Sequence, residues 1–302
     1  MNIAMFYAKG PEDIWSTPIG IHRELENRGH LVHHYNLFQR NSVNYSTECV
    51  VDFLIKSGSI KYDVVFQMDF GQFDSPLFTR ELSPSSLFVL EAGDDPQRFV
   101  ANANKIDKFD IVLTPDYQCS LRYKEYGKPS FWWPQHADTG LFRVNRECPI
   151  VYDCVTTCGP RGNGLTEGIK NRLGLSFTNT RYLRGKEYVD FMCSSKMVFQ
   201  CSQYKEITRR IFEGAACGKL VITDRLQIDT GIGSIFTEDK DIVYYDSLEE
   251  AVDKIRYYLK NDRERERIAI RGLRTVHNGH AAIHRVDHLE EIIYDALGEK
   301  NA

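Results

Sequence analysis

The chain has 302 residues, 42% hydrophobic, 12% aromatic and 26% charged. That balance excludes a disordered, collagen-like or fibrous protein and leaves a globular chain long enough for two cores. Its formal net charge of -4 supplies no global basic field for nucleic acid or an anionic membrane, and leaves room only for a local basic patch.

The opening MNIAMFYAKGPEDIW has no basic leader, and no run of about 18 uncharged apolar residues occurs anywhere, so a cytoplasmic protein without a membrane span is expected. Eight cysteines (Cys49, Cys119, Cys148, Cys154, Cys158, Cys193, Cys201 and Cys217) form no CxxC pair. Several lie in apolar runs such as MCSSKMVFQC, which predicts buried, reduced thiols rather than a disulfide framework or a zinc site.

NIAMFYA reads as a first strand, and after a polar loop ending in Thr17-Pro18 the segment IGIHRELENRGH reads as a helix closed by Gly29. LVHHYNL, DVVFQMDF, SLFVLEAG and DIVLTP are further short strands, separated by polar or helical pieces such as residues 118–126. Strands alternating with helices predict a parallel sheet. Past Pro129 the proline-rich PSFWWPQHADTGLFRVNRECP marks a change of character, and the domain junction is set between Asn145 and Pro149.

A second alternation follows. IVYDCVTTCG, LSFTNTRYL, KMVFQCS, KLVITD and DIVYYD read as strands, and LTEGIKNRLG, KEYVDFMCSS and ITRRIFEGAACG as intervening helices. SLEEAVDKIRYYLKN, DRERERIAIRGLRTVHNG and AAIHRVDHLEEIIYDALG carry apolar residues at helical spacing. The fold class is therefore α/β, with two Rossmann-like domains facing a central cleft: residues 1–146, then 147–302, the last helix being able to pack back on the first domain.

In open parallel sheets ligands bind outside the carboxyl ends of the strands, so the loops there carry the candidate chemistry. The stretch from Cys158 to Gly164 (CGPRGNG) follows a strand and precedes a helix, and its glycines, its helix N-terminus and Arg161 suit a phosphate. It is neither GxGxxG nor a P-loop, and a plain glycine-rich turn is the alternative. Glu213 sits among Ile211, Phe212, Ala215, Ala216 and Cys217. A partly buried carboxylate needs a partner. Two adjacent ligand hydroxyls, as on a ribose, would serve; so would a salt bridge to Arg209 or Arg210 that merely ties the helix down.

Arg210-x-Phe212-Glu213-x-Ala215-Ala216-Cys217-Gly218 followed by LVITD resembles the donor-site helix of GT-B glycosyltransferases, in particular the spore-maturation-type (CgeB-like) branch of the group 1, family-4-like superfamily. The stretch from Pro134 to Phe142 (PQHADTGLF) is similar to the element that ends the first domain there, and that from Glu91 to Phe99 (EAGDDPQRF) to the Asp-x-Pro loop of that branch. The resemblance implies an N-terminal acceptor domain and a C-terminal nucleotide-sugar donor domain. It implies that Glu213 binds the ribose hydroxyls of a nucleotide-diphosphate sugar, that Arg210 and Arg161 face the diphosphate, and that the segment from Ser202 through Tyr204 to Thr208 wraps sugar and phosphate. Lys205 stands where many members carry a second glutamate, with Glu206 beside it.

Such a transfer builds negative charge on the leaving diphosphate, which arginines and helix N-termini can stabilise. Asp239-Lys-Asp241, the one literal Asp-x-Asp string, reads as a solvated turn, so catalysis without an essential metal or other cofactor is expected. On the acceptor side Asp94 and Asp69 follow strands, and either could take the acceptor hydroxyl's proton; Asp94 could instead cap a helix starting at Pro96. His136, at the junction beside Asp138, could hydrogen-bond donor or acceptor or serve as a hinge histidine satisfied by backbone. His280, His284 and His288 recur every four residues without a zincin glutamate and read as a solvated helix face. Trp132 and Trp133 read as junction packing.

The leading function is transfer of a sugar to a hydroxyl acceptor of unidentified kind: glycan, small molecule, protein or modified DNA base. The alternatives are a phage-type DNA glycosyltransferase acting on hydroxymethylated bases, with Arg143, Arg146, Arg181, Arg184 and Lys186 on a basic rim, and a non-catalytic sugar-nucleotide-binding protein.

Overall fold

The computed structural model describes residues 1–9, 17–37, 53, 55–56, 58–69, 83–158, 162–173, 177–179, 183, 185–226 and 228–301. They form two compact units, Met1–Pro134 with Ile283–Ala302, and Gln135–Ala282. The chain leaves the first unit earlier than the 146/147 junction read from the prolines. The reason is that residues past Pro134 already belong to the second unit: Ala137 bridges to Ala281, and Phe142 meets Tyr188 edge-on with ring centroids 5.8 Å apart.

The first unit is built on six parallel strands, β1 (Asn2–Tyr7), β2 (Leu31–Asn36), β3 (Val64–Asp69), β4 (Leu87–Ala92), β5 (Ile111–Thr114) and β6 (Ser130–Trp132), in the order β2-β1-β3-β4-β5-β6. β4 and β5 are buried at every position, as parallel strands covered on both faces must be, and this is why they read as continuous apolar runs. Helix α1 (Thr17–Asn27) takes Thr17 and Pro18 into its first turn rather than leaving them in the loop. Proline is pre-organised there, since the first helical N–H has no intrahelical partner. Gly29 ends the helix at φ 84°, where a side chain would be strained. α2 (Phe99–Ala103) is short, and α3 (Tyr117–Glu125) is N-capped by Asp116, whose carboxylate accepts from Cys119 N at 2.8 Å.

The second unit holds β7 (Tyr152–Thr156), α4 (Gly162–Leu173), β8 (Phe177–Asn179), α5 (Gly185–Cys193), β9 (Ser195–Gln200), α6 (Arg209–Ala216), β10 (Leu220–Asp224), α7 (Ile232–Ile235), β11 (Val243–Tyr245), α8 (Leu248–Lys260) and α9 (Asp262–Gly279). The sheet order is β11-β10-β9-β7-β8, all parallel. Strand order thus reverses between β7 and β9, and in the first unit between β1 and β3. Such switch points open a crevice at the carboxyl ends of the strands, where α/β sheets bind ligands. α6 lies close on its sheet because residue 214 is glycine: a Cβ there would stand 3.1 Å from Val198 Cβ and 3.1 Å from Val221 Cγ2.

Helix α10 (Ala282–Asn301) closes the first unit. It buries Val286, Leu289 and Ile293, and Glu290 takes Arg28 Nη1 at 2.5 Å and His30 Nε2 at 2.5 Å. Trp133 Nε1 donates to Arg285 O at 3.1 Å, and Arg285 Nε to Pro134 O at 2.8 Å, so Trp133 is packing as expected.

Two readings are corrected. Asp241 is not solvated: it is 9% exposed and accepts from Thr237 N at 3.0 Å and Arg271 Nε at 3.1 Å, because the turn is pinned by α9. The histidine row is not a free face either. His280 ends α9 with its ring 5.8 Å from Phe212, and His288 is half-buried, edge-on to Phe131 at 6.5 Å.

Candidate functional site

The switch point of the second unit gathers the loops after β7, β9 and β10. Cys158 Sγ accepts from Thr156 Oγ1 at 2.8 Å and from Cys201 N at 3.0 Å, which joins the ends of β7 and β9. The hydrogen bond with the Cys201 thiol, helped by Thr156 and the charge of Arg210, pulls the Cys158 thiol below the usual thiol range against the opposing effect of burial. The described cysteines are all free thiols.

The next residues form a tight loop around two carboxylates. Asp224, the last residue of β10 and 4% exposed, accepts from Ser202 N at 2.8 Å, Ser202 Oγ at 2.6 Å and Lys205 Nζ at 2.8 Å. Lys205 adopts φ 62°, a left-handed conformation that costs a non-glycine residue strain and persists only when its surroundings hold it. Glu206 folds back to accept from Gln203 N at 3.2 Å and Tyr204 N at 2.5 Å, and Gln203 Nε2 donates to Tyr204 Oη at 2.8 Å. Lys205 therefore presents an ammonium ion-paired to Asp224.

Helix α6 then begins, with Thr208 as an extended N-cap whose hydroxyl makes no capping bond. Arg210 Nε donates to Gln200 Oε1 at 3.0 Å. Glu213 is 2% exposed; Tyr188 Oη donates to its Oε2 at 2.7 Å, and Arg209 Nε stands 3.8 Å from Oε1. Burial and the neighbouring Glu213 charge push the Tyr188 hydroxyl far up, so it remains a donor. Of the two readings of Glu213, the ion pair with Arg209 is present but long, and Oε1 accepts no hydrogen bond among the described residues. A buried carboxylate oxygen in that condition is a ready acceptor for a ligand hydroxyl.

Ser202, Tyr204, Arg210 and Glu213 thus fall on one stretch of the second unit, although Ser202's hydroxyl is already engaged by Asp224. Arg161 lies outside the described residues. His136 is 3% exposed and belongs to this unit, beside the Ala137–Ala281 bridge. Asp94 and Asp69 belong to the first unit. Asp69 ends β3; its side chain lies outside the described part. Asp94 is exposed at φ 58°, and it caps no helix: α2 starts only at Phe99, with Arg98 as its N-cap residue. Its neighbour Asp95 is buried and accepts from Asn102 Nδ2, Thr114 Oγ1 and Tyr123 Oη at 3.0, 2.8 and 2.9 Å. The sequence reading missed Gln200, Tyr188 and Asp224. Two of them are the last residues of strands, a signal that was available.

Two parallel α/β units with these strand orders define the GT-B fold, a class shared with solved structures similar to this chain. Sucrose-phosphate synthase from Thermosynechococcus elongatus matches with a TM-score of 0.71 at 10% identity, over 99% of each chain. A glycosyltransferase from Rickettsia africae matches with a TM-score of 0.70 at 13% identity, over 98% of each chain. Anabaena HepE, solved with UDP and glucose, matches with a TM-score of 0.67 at 12% identity, over 98% of this chain and all of its own. Residues 162–291 match the family model described as glycosyl transferase-like. That match spans most of the second unit and the start of α10. No curated protein matches the chain in sequence, and among the described residues no helix is long and apolar enough to cross a membrane.

Proposed function

We propose that the protein transfers a glycosyl group from a nucleoside-diphosphate sugar to a hydroxyl acceptor, as a cytoplasmic enzyme of the spore-maturation-type branch. The observation that carries this is the buried Glu213 carboxylate, oriented by Tyr188 and with Oε1 open to a ligand. In this reading Glu213 binds the ribose hydroxyls, and Arg210 and Arg161 face the diphosphate. The loop from Ser202 through Tyr204 to Thr208 wraps the phosphates and sugar. Support comes from the switch point, from the glycosyl transferase-like match and from neighbours solved with UDP and UDP-glucose.

The chemistry follows from charge. As the glycosidic bond to the diphosphate breaks, negative charge grows on the leaving oxygen. The Arg210 guanidinium and the first-turn N–H groups of α6 meet that charge in a fixed arrangement, without reorganisation of water. We take these groups to do the work that a metal does in other transferases. On the acceptor side we take Asp94 as the base, its neighbour Asp95 being buried with its carboxylate engaged by three donors; Asp69 and His136 are the other candidates.

The test is titration calorimetry with a panel of nucleotide sugars. Arg210→Ala and Glu213→Ala are each expected to abolish measurable donor binding while the circular dichroism spectrum stays native. Wild-type affinity in both variants would remove the site assignment.

A further inference from the structure

The buried amide of Gln200 has a role that burial alone does not explain. It is the last residue of β9, the middle strand of its sheet and one flank of the switch point. It is 0% exposed. Its backbone carbonyl is held by Tyr245 Oη at 3.0 Å, and its side-chain Oε1 accepts from Arg210 Nε at 3.0 Å. That donation fixes which end of the amide is oxygen. The other end, Nε2, is buried with no hydrogen-bond partner, and so is Thr208 Oγ1, two residues before Arg210.

An amide N–H left unpaired in a protein interior costs free energy that a leucine of similar size would not. Arg210 is in the complementary condition. Only its Nε is engaged; Nη1 and Nη2 make no hydrogen bond or ion pair among the described residues. One amide therefore holds the guanidinium by its inner nitrogen and leaves three donor groups unmatched beside it: the two Nη groups of Arg210 and its own Nε2. Donors without acceptors, next to a helix N-terminus at a switch point, call for an anion with several oxygens.

We infer that Gln200 is a positioning residue for the donor diphosphate: its Oε1 aims the Arg210 guanidinium, and its Nε2 supplies a further N–H to the same phosphate oxygens. This rests on the donor-site reading above and adds to it a residue on the strand side of the site. It also explains why this strand ends in an amide. A carboxylate would hold Arg210 as well but would repel the phosphate, and an apolar residue would let the guanidinium swing.

Calorimetry on the full chain with UDP, GDP, ADP and dTDP identifies the diphosphate that binds. If none binds, the donor-site reading fails and this inference falls with it. With the one that binds, Gln200→Leu is expected to lower affinity about tenfold or more, the usual scale for a hydrogen bond to a charged group, while affinity for the matching nucleoside stays within about twofold. Gln200→Glu, which keeps an oxygen for Arg210 and covers the case in which the leucine variant does not fold, is expected to lose at least as much for the diphosphate alone. Combined with Arg210→Ala, the loss from Gln200→Leu is expected to be smaller than in the wild-type background. Unchanged diphosphate affinity in a folded Gln200 variant overturns the inference while Arg210→Ala still reports on the donor site. Equal losses for nucleoside and diphosphate reduce Gln200 to packing, and fully multiplicative losses with Arg210→Ala remove the aiming role.

Discussion

At the residue scale, the second unit holds charge in its interior by giving each carboxylate a different set of donors. Among the described residues Tyr188 gives Glu213 its one strong hydrogen bond from a side chain. Tyr188→Phe, which removes that donor and little volume, is expected to cost about 1 kcal/mol of stability and to raise the donor KM with kcat less changed; an unaltered KM would show that the hydroxyl does not orient Glu213. In the first unit Asp95 makes a separate pH test. Burial pushes its carboxyl up to about 7, with hydrogen bonds from Thr114, Asn102 and Tyr123 pulling the other way. The folded chain therefore keeps a proton that the unfolded chain, at about 3.9, gives up. The resulting stabilisation is complete below about pH 4 and is lost as the pH rises through 7. Asp95→Asn is expected to flatten the fall of Tm between pH 5 and 8, and parallel curves for the two proteins would refute that origin. Glu213 was legible in the sequence because a charge inside an apolar helix face is conspicuous. Gln200 was not, since an amide at a strand end is ordinary until its partner is seen, and the left-handed turn at Lys205 left no trace in residue types.

At the scale of elements, α6 carries Arg210 and Glu213 together, so its distance from the sheet sets both. Gly214→Ala would place a methyl 3.1 Å from two valine carbons, and the helix must rise by a few tenths of an ångström. The expected cost is about 1–3 kcal/mol, read as a lower Tm, with donor affinity falling in the same variant; a loss of Tm with no loss of affinity would separate helix height from the site. Gly272→Ala is the harsher change, since its Cβ would stand 2.6 Å from the backbone oxygen of Asp241. The strand and helix alternation could be read in advance because buried parallel strands are apolar along their whole length. The state of Asp241 could not. Its turn looks polar in sequence, and only the arrival of Arg271 from α9, thirty residues on, takes it out of water.

At the scale of the molecule, the sequence announced two α/β alternations but not where one yields to the other, because prolines mark a connection without saying which core its flanks join. Residues 135–149 join the second unit, and α10 returns to the first. A chain ending at residue 282 is expected to keep hydrogen-exchange protection in β7 to β11 and to lose it in β1 to β6, which would lack the apolar face of α10 and the Arg28–Glu290 and Arg28–Asp287 ion pairs. Retained protection in both sheets would make α10 an accessory. The second unit, by contrast, has its two ends tied: Ala137 N donates to His280 O at 3.1 Å and Ala282 N to Ala137 O at 3.0 Å. During synthesis α10 is translated only after the whole of the second unit. The first unit, its strands β1 to β6 already translated, thus waits for its last helix, and the apolar surface destined for α10 stays uncovered in the nascent chain through the whole time the second unit takes to emerge.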